Sequence, residues 1–281
     1  MASEAGGRPT RDAEVTGAPS ADGRPILEVE QVFKRFGGIG AVDGATLDLK
    51  QQSITALIGP NGAGKTTLFN VITGFYRADR GSIRFRDQSI FGRPPHTIAK
   101  LGLVRTFQIT KALAAMSVID NMMLAAPNQP GEKLRNLCRP ATSRRRERTV
   151  REQAMELLGV FELDRLAEEY AGTLSGGQRK LLELARALMT EPHALLLDEP
   201  MAGINPALGR RLLDHMQRLR AEAGMTFLFI EHDMEVVMNH SDRVIVMAEG
   251  RVIADGPPDA VREDERVIDA YLGTSANGGT A

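Results

Sequence analysis

Residues 53–67 constrain the fold of this chain more than any other stretch, because they read as a strand, a glycine-rich loop and the start of a helix. The run 54–58 is short and continuously apolar, as in a strand buried on both faces. Residues 59–66 then match the pattern G-x-x-x-x-G-K-[ST], whose glycines let backbone N–H groups converge on phosphates. The alternative is a glycine-rich turn with a chance lysine. We expect nucleotide binding, with Lys65 on the β- and γ-phosphates and the Thr66 hydroxyl on Mg²⁺. The predicted nucleotide-binding residues of this loop are Gly59, Pro60, Asn61, Gly62, Ala63, Gly64, Lys65, Thr66 and Thr67.

Composition and charge narrow the class of protein. Of the 281 residues, 42% are apolar and 25% are charged, as in an ordinary globular protein. The formal net charge of −1 argues against a nucleic-acid binder that works through bulk charge. Cys138 is the one cysteine, which fits a reducing cytosol. No apolar run is long enough to span a membrane. We expect residues 1–24 and 274–281 to be disordered tails, and the first of them to be neither a signal peptide nor an anchor.

Two kinds of strand pattern predict two sheets. Apolar and polar residues alternate, as in a half-buried antiparallel layer, over 27–32, 45–50 and 81–86. Continuously apolar runs, typical of parallel strands covered on both faces, lie at 54–58, 194–197 and 226–230. A late hairpin is expected from 243–247 and 251–254.

Helical patterns dominate between 91 and 190, where strand signals nearly vanish. The predicted fold is therefore α/β, with a P-loop NTPase core built on a mainly parallel sheet, an antiparallel β subdomain and an inserted α-helical subdomain at about 92–190. Inside the insertion, 127–148 is irregular and basic, ending in Arg-Arg-Arg-Glu-Arg. Two interpretations stay open for this segment: a solvated loop with the start of a helix, or a contact with anionic lipid or a membrane partner.

Two adjacent carboxylates follow the apolar run 194–197. An acidic residue at a strand end beside a phosphate-binding loop is placed to hold Mg²⁺, and we assign this role to Asp198. Successive strand side chains point in opposite directions, so Glu199 is aimed elsewhere. A second carboxylate near the γ-phosphate can polarise the attacking water, which makes Glu199 the candidate base.

A second helix N-terminus can hold phosphate. Ser175 is a good N-cap, and the two glycines after it allow a ligand to approach the backbone closely. An ordinary capped helix is the alternative. If one nucleotide uses both this segment and the P-loop, either one chain folds them together or two copies supply one each.

Together these motifs resemble the ATP-binding subunits of ABC transporters. Residues 59–66 look like Walker A and 195–199 like Walker B, and the signature motif LSGGQ is Leu174, Ser175, Gly176, Gly177 and Gln178. The resemblance covers about 26–273 and implies an ABC ATPase domain at 25–273. It implies that Gln108 contacts Mg²⁺ and water and that His232 is the switch histidine facing the γ-phosphate. Phe36 resembles the aromatic residue that stacks on adenine, with a role in the core as the alternative.

The closest resemblance is to the LivG-type subunits of branched-chain amino-acid importers. It rests on Gly-Ile-Asn-Pro at 203–206, Val-Arg-Thr-Phe-Gln at 104–108, Ile-Glu-His-Asp-Met at 230–234 and Ala-Tyr-Leu-Gly at 270–273. Many ABC proteins have an acidic residue in the D-loop where this chain has Asn205, so a carboxylate role is in doubt there.

The resemblance implies an ATPase that energises import, with ATP and Mg²⁺ as cofactors, on the cytoplasmic face of the membrane. The implied partners are a second ATPase subunit, identical or different, two transmembrane permeases docked near 75–124, and indirectly an extracytoplasmic solute-binding protein. An importer of urea, amides or other small metabolites is an alternative. A soluble ABC-type ATPase acting on nucleic acid or ribosomes is disfavoured, because the chain has one P-loop, one signature and no long heptad run.

Overall fold

The structure is a computed structural model that describes residues 24–106, 113–127 and 140–276. Its strands are β1 (Pro25–Phe36), β2 (Ile39–Lys50), β3 (Ile54–Ile58), β4 (Arg80–Phe85), β5 (Gln88–Ser89), β6 (Leu103–Arg105), β7 (Ala194–Asp198), β8 (Thr226–Ile230), β9 (Arg243–Ala248) and β10 (Arg251–Gly256). Its α-helices are α1 (Lys65–Ile72), α2 (Pro95–Lys100), α3 (Val118–Ala125), α4 (Pro140–Val160), α5 (Gly176–Leu188), α6 (Pro206–Ala223), α7 (Met234–His240), α8 (Pro258–Arg262) and α9 (Glu265–Ala276).

A six-stranded sheet in the order β10-β9-β3-β8-β7-β6 carries the P-loop. Strand β3 runs parallel to both β8 and β9, and β7 runs parallel to β6 and β8. Every residue of β3 and β8 is buried, because helices and the second sheet cover both faces. The continuously apolar runs therefore form parallel strands, as the sequence predicted, and their carboxyl ends lie at one edge. Strand β10 pairs antiparallel with β9 and completes the predicted hairpin.

The second sheet is antiparallel, with four strands in the order β2-β1-β4-β5. Its alternating residues put one face into the core: Ala45, Leu47 and Leu49 on β2, with Ile83 and Phe85 on β4, are buried. These side chains pack in one cluster with Leu68, Phe69 and Ile72 of α1. The antiparallel layer thus covers the helix that follows the P-loop and fixes it against the sheet.

Helices dominate the described parts of 92–190, and α3, α4 and α5 pack on one another there. It also contains a strand of the core sheet that the sequence analysis did not predict. Strand β6 has only three residues, too few to show an alternation, and it is held by its parallel pairing with β7. The bounds 92–190 thus include a part of the core sheet, and the exact limits of the insertion stay a prediction.

The segment 144–148 lies within α4, and Arg144, Arg145 and Arg148 are exposed. Arg148 pairs with Glu152 one turn later, at 2.9 Å between Nε and Oε1. A contact of this segment with lipid or a membrane partner remains a hypothesis. Helix α9 continues to Ala276, beyond the predicted end of the ordered domain at 273. The predictions for Gln108, for tail residues 1–23 and 277–281 and for 128–139 lie outside the described residues. Within the described ranges, no helix is both long and apolar enough to cross a membrane.

Candidate functional site

The P-loop joins the buried strand β3 to helix α1, and Lys65 is the first residue of that helix. Its Nζ donates hydrogen bonds to the carbonyl oxygens of Gly59 at 2.7 Å and Pro60 at 2.9 Å. Burial lowers the pKa of Lys65, while the charges of Glu199 and Asp198 act in the opposite direction. The amine is thus held against the loop, beside the backbone N–H groups that begin α1.

Gly64 shows why the loop needs a glycine. Its φ of +96° is a left-handed conformation, and a Cβ there would lie 2.2 Å from the backbone carbonyl oxygen of Ala41. A side chain at this position would therefore be strained and would collide with strand β2.

Glu199 and His232 form a hydrogen-bonded pair opposite the P-loop. Glu199 follows β7 and His232 follows β8, and these strands are parallel neighbours, so both residues lie at the same sheet edge. Glu199 Oε1 and His232 Nε2 are 2.7 Å apart, and each side chain is nearly half exposed. If Glu199 acts as an ionised carboxylate, which can only accept, His232 donates this bond through Nε2. The sequence predicted both residues at the site, and the structure brings them together.

Asp198 is the last residue of β7 and has different partners from Glu199, which follows the strand with a φ of +49°. Its Oδ2 accepts a hydrogen bond from Arg105 Nη2 at 2.5 Å, and only 16% of its side chain is exposed. Arg105 also donates from Nη1 to Asn70 Oδ1 at 2.8 Å. The sequence analysis gave Arg105 no role of its own, although a cation in an otherwise apolar three-residue run is a recognisable signal.

A cleft of about 370 Å³ lies between the P-loop and the Glu199–His232 pair. It is lined by Ile39, Gly40, Ala41, Asn61, Gly62, Ala63, Gly64, Lys65, Thr66, Thr67, Glu199, His232 and Glu249. The volume lies in the range of ligand sites, and the lining supplies amine and backbone donors for phosphates.

The donor set near this cleft also fits Mg²⁺. A hydroxyl from Thr66 and a carboxylate from Asp198 are the hard oxygen ligands that Mg²⁺ takes alongside phosphate and water. Among the residues that the structure describes, no group of three or more His, Cys, Asp or Glu could hold a metal by itself.

Phe36 lies at the end of β1 with 44% of its surface exposed. Its ring packs edge-on against Tyr76, with 5.2 Å between centroids, and Lys34 Nζ lies 5.2 Å from its centroid. An exposed ring of this kind can stack on a base, so the adenine role remains a prediction.

The signature segment caps helix α5 with a capping box. Ser175 Oγ accepts from the Gln178 N–H at 3.3 Å, and Gln178 Oε1 accepts from the Ser175 N–H at 2.9 Å. None of residues 174–178 lines the P-loop cleft. The fold of one chain therefore does not bring the two predicted phosphate sites into one cleft.

Asn205 of the D-loop caps a helix, and the residue before the D-loop region, Met201, is bonded to a buried carboxylate next to His232. Asn205 Oδ1 accepts from the Leu208 N–H at 2.9 Å and caps α6. The buried Glu231 accepts from the Met201 N–H through Oε1 at 2.8 Å and lies directly before His232. Burial raises the pKa of Glu231, and the charge of Glu199 acts in the same direction. A carboxylate directly after an apolar strand was the available signal for Glu231.

Lys180 connects the signature helix to the same region. Its Nζ donates to the backbone carbonyl oxygens of Glu199, at 3.2 Å, and Ala202. The helix that starts at the signature and the loop that carries Glu199 are therefore held together within one chain.

Comparison with known proteins decides the family. A family model described as ABC transporter matches residues 42–202. The chain belongs to the ABC transporter family. A second model, described as branched-chain amino acid ATP-binding cassette transporter, matches residues 251–277 of this ABC subunit.

Characterised relatives and a solved structure agree with this assignment. The chain is 43% identical over 251 residues to the high-affinity branched-chain amino acid transport ATP-binding protein BraF of Pseudomonas aeruginosa, covering 89% of this chain and 98% of BraF. It is 41% identical to LivG of Escherichia coli K12, with the same coverage. One similar solved structure is the crystal structure of the ADP conformation of MJ1267, an ATP-binding cassette of an ABC transporter. Its sequence is 38% identical to this chain, the TM-score is 0.75, and the match covers 89% of this chain and 99% of that chain.

These findings confirm four predictions: the family, the ABC ATPase fold, the enzyme class of transport-coupled ATP hydrolase, and the role of ATP-binding subunit in an importer. Nucleotide binding is also confirmed at the level of the family.

Proposed function

We propose that this ABC subunit hydrolyses Mg²⁺-ATP at the cytoplasmic face of the cell membrane to drive import of branched-chain amino acids. The solute is proposed from the two named relatives and from the C-terminal match at 251–277. The observation that carries the chemistry is the 2.7 Å pair of Glu199 and His232 facing the P-loop across one cleft.

The P-loop would bind the triphosphate through its backbone N–H groups and through Lys65. Thr66 and Asp198 would hold Mg²⁺, together with Gln108 as the sequence predicted. When bound, Mg²⁺ neutralises charge on the phosphates. Phe36 would stack on the adenine ring.

Hydrolysis needs a positioned water molecule and a proton acceptor. In the proposed step the water oxygen attacks the γ-phosphorus, the bond from that phosphorus to the oxygen bridging to the β-phosphate breaks, and Glu199 takes the water proton. His232 donates to Glu199 through Nε2 and thereby keeps the carboxylate aimed into the cleft. Because both groups are nearly half exposed in the single chain, they remain open to solvent until something covers the cleft.

The cover is proposed to be a second ATPase subunit, identical to this chain or different. Its signature residues, equivalent to 174–178, would place the N-terminus of α5 over the γ-phosphate. This proposal is supported by the separation of the signature from the P-loop cleft within one chain.

A second cleft is the proposed docking site for a membrane permease. It has a volume of about 260 Å³ and a mainly apolar lining, which is Thr73, Phe75, Pro95, His96, Ala99, Leu103, Val104 and Arg105. Phe75 is 47% exposed, a large apolar side chain that a partner would bury. One permease would dock in this cleft on each subunit of the ATPase pair. A solute-binding protein would act on the permeases from the extracytoplasmic side.

The test is ATP-driven uptake by the complete transporter. The vesicles contain this chain, its partner ATPase and both permeases, with the ATPases and ATP in the lumen and the solute-binding protein outside. We expect them to accumulate labelled leucine. Lys65→Ala should abolish both ATP binding by the purified chain, measured by calorimetry, and uptake. Unchanged ATP affinity in Lys65→Ala would refute the P-loop assignment. Uptake of urea or an amide but not leucine would refute the solute.

A further inference from the structure

Arg105 occupies an unusual place for a cation. It ends strand β6, its side chain is only 6% exposed, and β6 lies beside β7 with Arg105 in register with Leu196. A buried guanidinium is unfavourable unless it is paired and hydrogen-bonded.

The partners of Arg105 lie on two elements of the nucleotide site, strand β7 and the helix that follows the P-loop. One is Asp198, at the end of β7, with Nη2 to Oδ2 at 2.5 Å. The other is Asn70, on the helix that begins with Lys65, with Nη1 to Oδ1 at 2.8 Å. The guanidinium also lies over the ring of Phe69, 5.6 Å from its centroid. A planar guanidinium can make two such directed bonds at once, which a lysine ammonium cannot do with the same geometry.

Arg105 also lines the second cleft, beside Phe75 and His96. One side chain is therefore shared between the cleft proposed for the permease and the carboxylate proposed for Mg²⁺. Its Nε is buried and has no hydrogen-bond partner among the described residues. The guanidinium is therefore held by the bonds from Nη1 and Nη2, by its contact with the Phe69 ring and by packing.

We propose that Arg105 is a positioning residue, which fixes Asp198 for the Mg²⁺ of ATP and connects this carboxylate to a permease docked in the second cleft. The first part rests on the P-loop and on Asp198 as proposed above, and the second also rests on that cleft as the permease site. Fixing one oxygen of Asp198 restricts the rotation of its carboxylate. Residues that orient a metal-binding carboxylate in this way typically change metal affinity by about 10–100-fold when they are replaced.

The first experiment measures Mg²⁺ rather than turnover. A fluorescent ATP analogue is bound to the purified chain in EDTA and then across a range of Mg²⁺ concentrations. Arg105→Met should bind the analogue like the wild type in EDTA, because Lys65 and the loop are intact. It should need about 10–100-fold more Mg²⁺ to reach half of the Mg²⁺-dependent change in analogue binding. Arg105→Lys should fall between the two, since it keeps the charge without both directed bonds.

Arg243→Lys is the matched control. Arg243 is also a largely buried arginine paired with two carboxylates, Asp48 and Asp255, but it lies at the other end of the sheet, opposite the start of β3. It should keep the wild-type Mg²⁺ dependence. If Arg105→Met does not fold, as shown by circular dichroism, the Arg105→Lys shift decides the question. Equal half-saturating Mg²⁺ in wild type and the folded Arg105 variants would refute the proposal. A wild type that binds no analogue would instead refute the proposed ATP site.

The second experiment repeats the Mg²⁺ titration in the assembled transporter. Assembly with the permeases should shift the half-saturating Mg²⁺ of the wild type, and the shift should be absent in Arg105→Lys. An equal shift in both proteins would refute the role of Arg105 in connecting the second cleft to the Mg²⁺ site. No shift in the wild type would show that the second cleft and the Mg²⁺ site are not connected.

Discussion

Replacing His232 by alanine tests the chemistry of the site while leaving the fold nearly intact. In the wild type, His232 Nε2 lies 2.7 Å from Glu199 Oε1, and the two side chains are 47% and 44% exposed. Pairs this exposed typically contribute about 0–1 kcal/mol to stability. For a chain of this size we therefore expect Tm to fall by no more than about 2–4 °C.

The effect on turnover should be far larger. Without the imidazole, Glu199 is free to leave the orientation that faces the P-loop, and the hydrogen-bond donor beside the γ-phosphate is lost. Loss of a positioned acid–base group typically costs about 10²–10⁴-fold in rate, equivalent to about 2.7–5.4 kcal/mol in the barrier. Nucleotide affinity should change little, because Lys65 and the loop are untouched.

The assay is phosphate release at saturating Mg²⁺-ATP by the assembled transporter, together with calorimetric ATP binding and thermal unfolding of the purified chain. His240→Ala is the control: it removes a histidine at the end of α7 that lies beside Gln217 instead of Glu199. The reasoning is refuted if folded His232→Ala retains turnover within about tenfold of the wild type, below the range expected for such a group.

Three further predictions concern single residues. Gly64→Ala should lower the free energy of unfolding more than Gly62→Ala: both glycines have positive φ, a strain of about 1–2 kcal/mol for alanine, but only at Gly64 would the Cβ meet a carbonyl oxygen. Equal losses in urea titrations would contradict this. Glu231→Gln should flatten the pH dependence of stability. Burial raises the pKa of Glu231 above its usual 4.5, so the stability of the wild type falls as the pH rises from that value through the folded pKa. An unchanged slope between pH 4 and 8 would count against this cause. Asn205→Ala should lose the cap of α6, which contributes about 1 kcal/mol to stability, and should reduce turnover more than ATP affinity. Asn205→Ser, the control, retains a cap. Wild-type turnover in Asn205→Ala would make the D-loop a mere connector.

Local patterns in the sequence predicted most of the fold. The run 54–58 is short and almost entirely apolar, which favours a strand covered on both faces, and the alternation at 45–50 defines one buried face. The P-loop and the two carboxylates were predicted from their motifs and flanking strands, whereas His232 was assigned through the resemblance to ABC ATPases.

Contacts between distant residues were beyond prediction. Arg105 and Asp198 are 93 positions apart, and nothing in either segment indicates the other. Strand β6 exists because of its pairing with β7 rather than because of its own three residues. Glu199 has a φ of +49°, an uncommon conformation for a residue with a side chain, and its N–H donates to the carbonyl oxygen of Ile230 on the neighbouring strand. Such geometry depends on the assembled sheet and becomes visible only there.

If Glu199 acts on ATP held by the P-loop, the fate of the γ-phosphate depends on this one carboxylate. The complete transporter carrying Glu199→Gln is incubated with γ-labelled Mg²⁺-ATP, and the bound nucleotide is separated and identified. Glu249→Gln is the control, since Glu249 lines the same cleft without pairing with His232. We expect Glu199→Gln to retain intact ATP while the control releases labelled phosphate. Phosphate release by Glu199→Gln at the rate of the control would contradict the account.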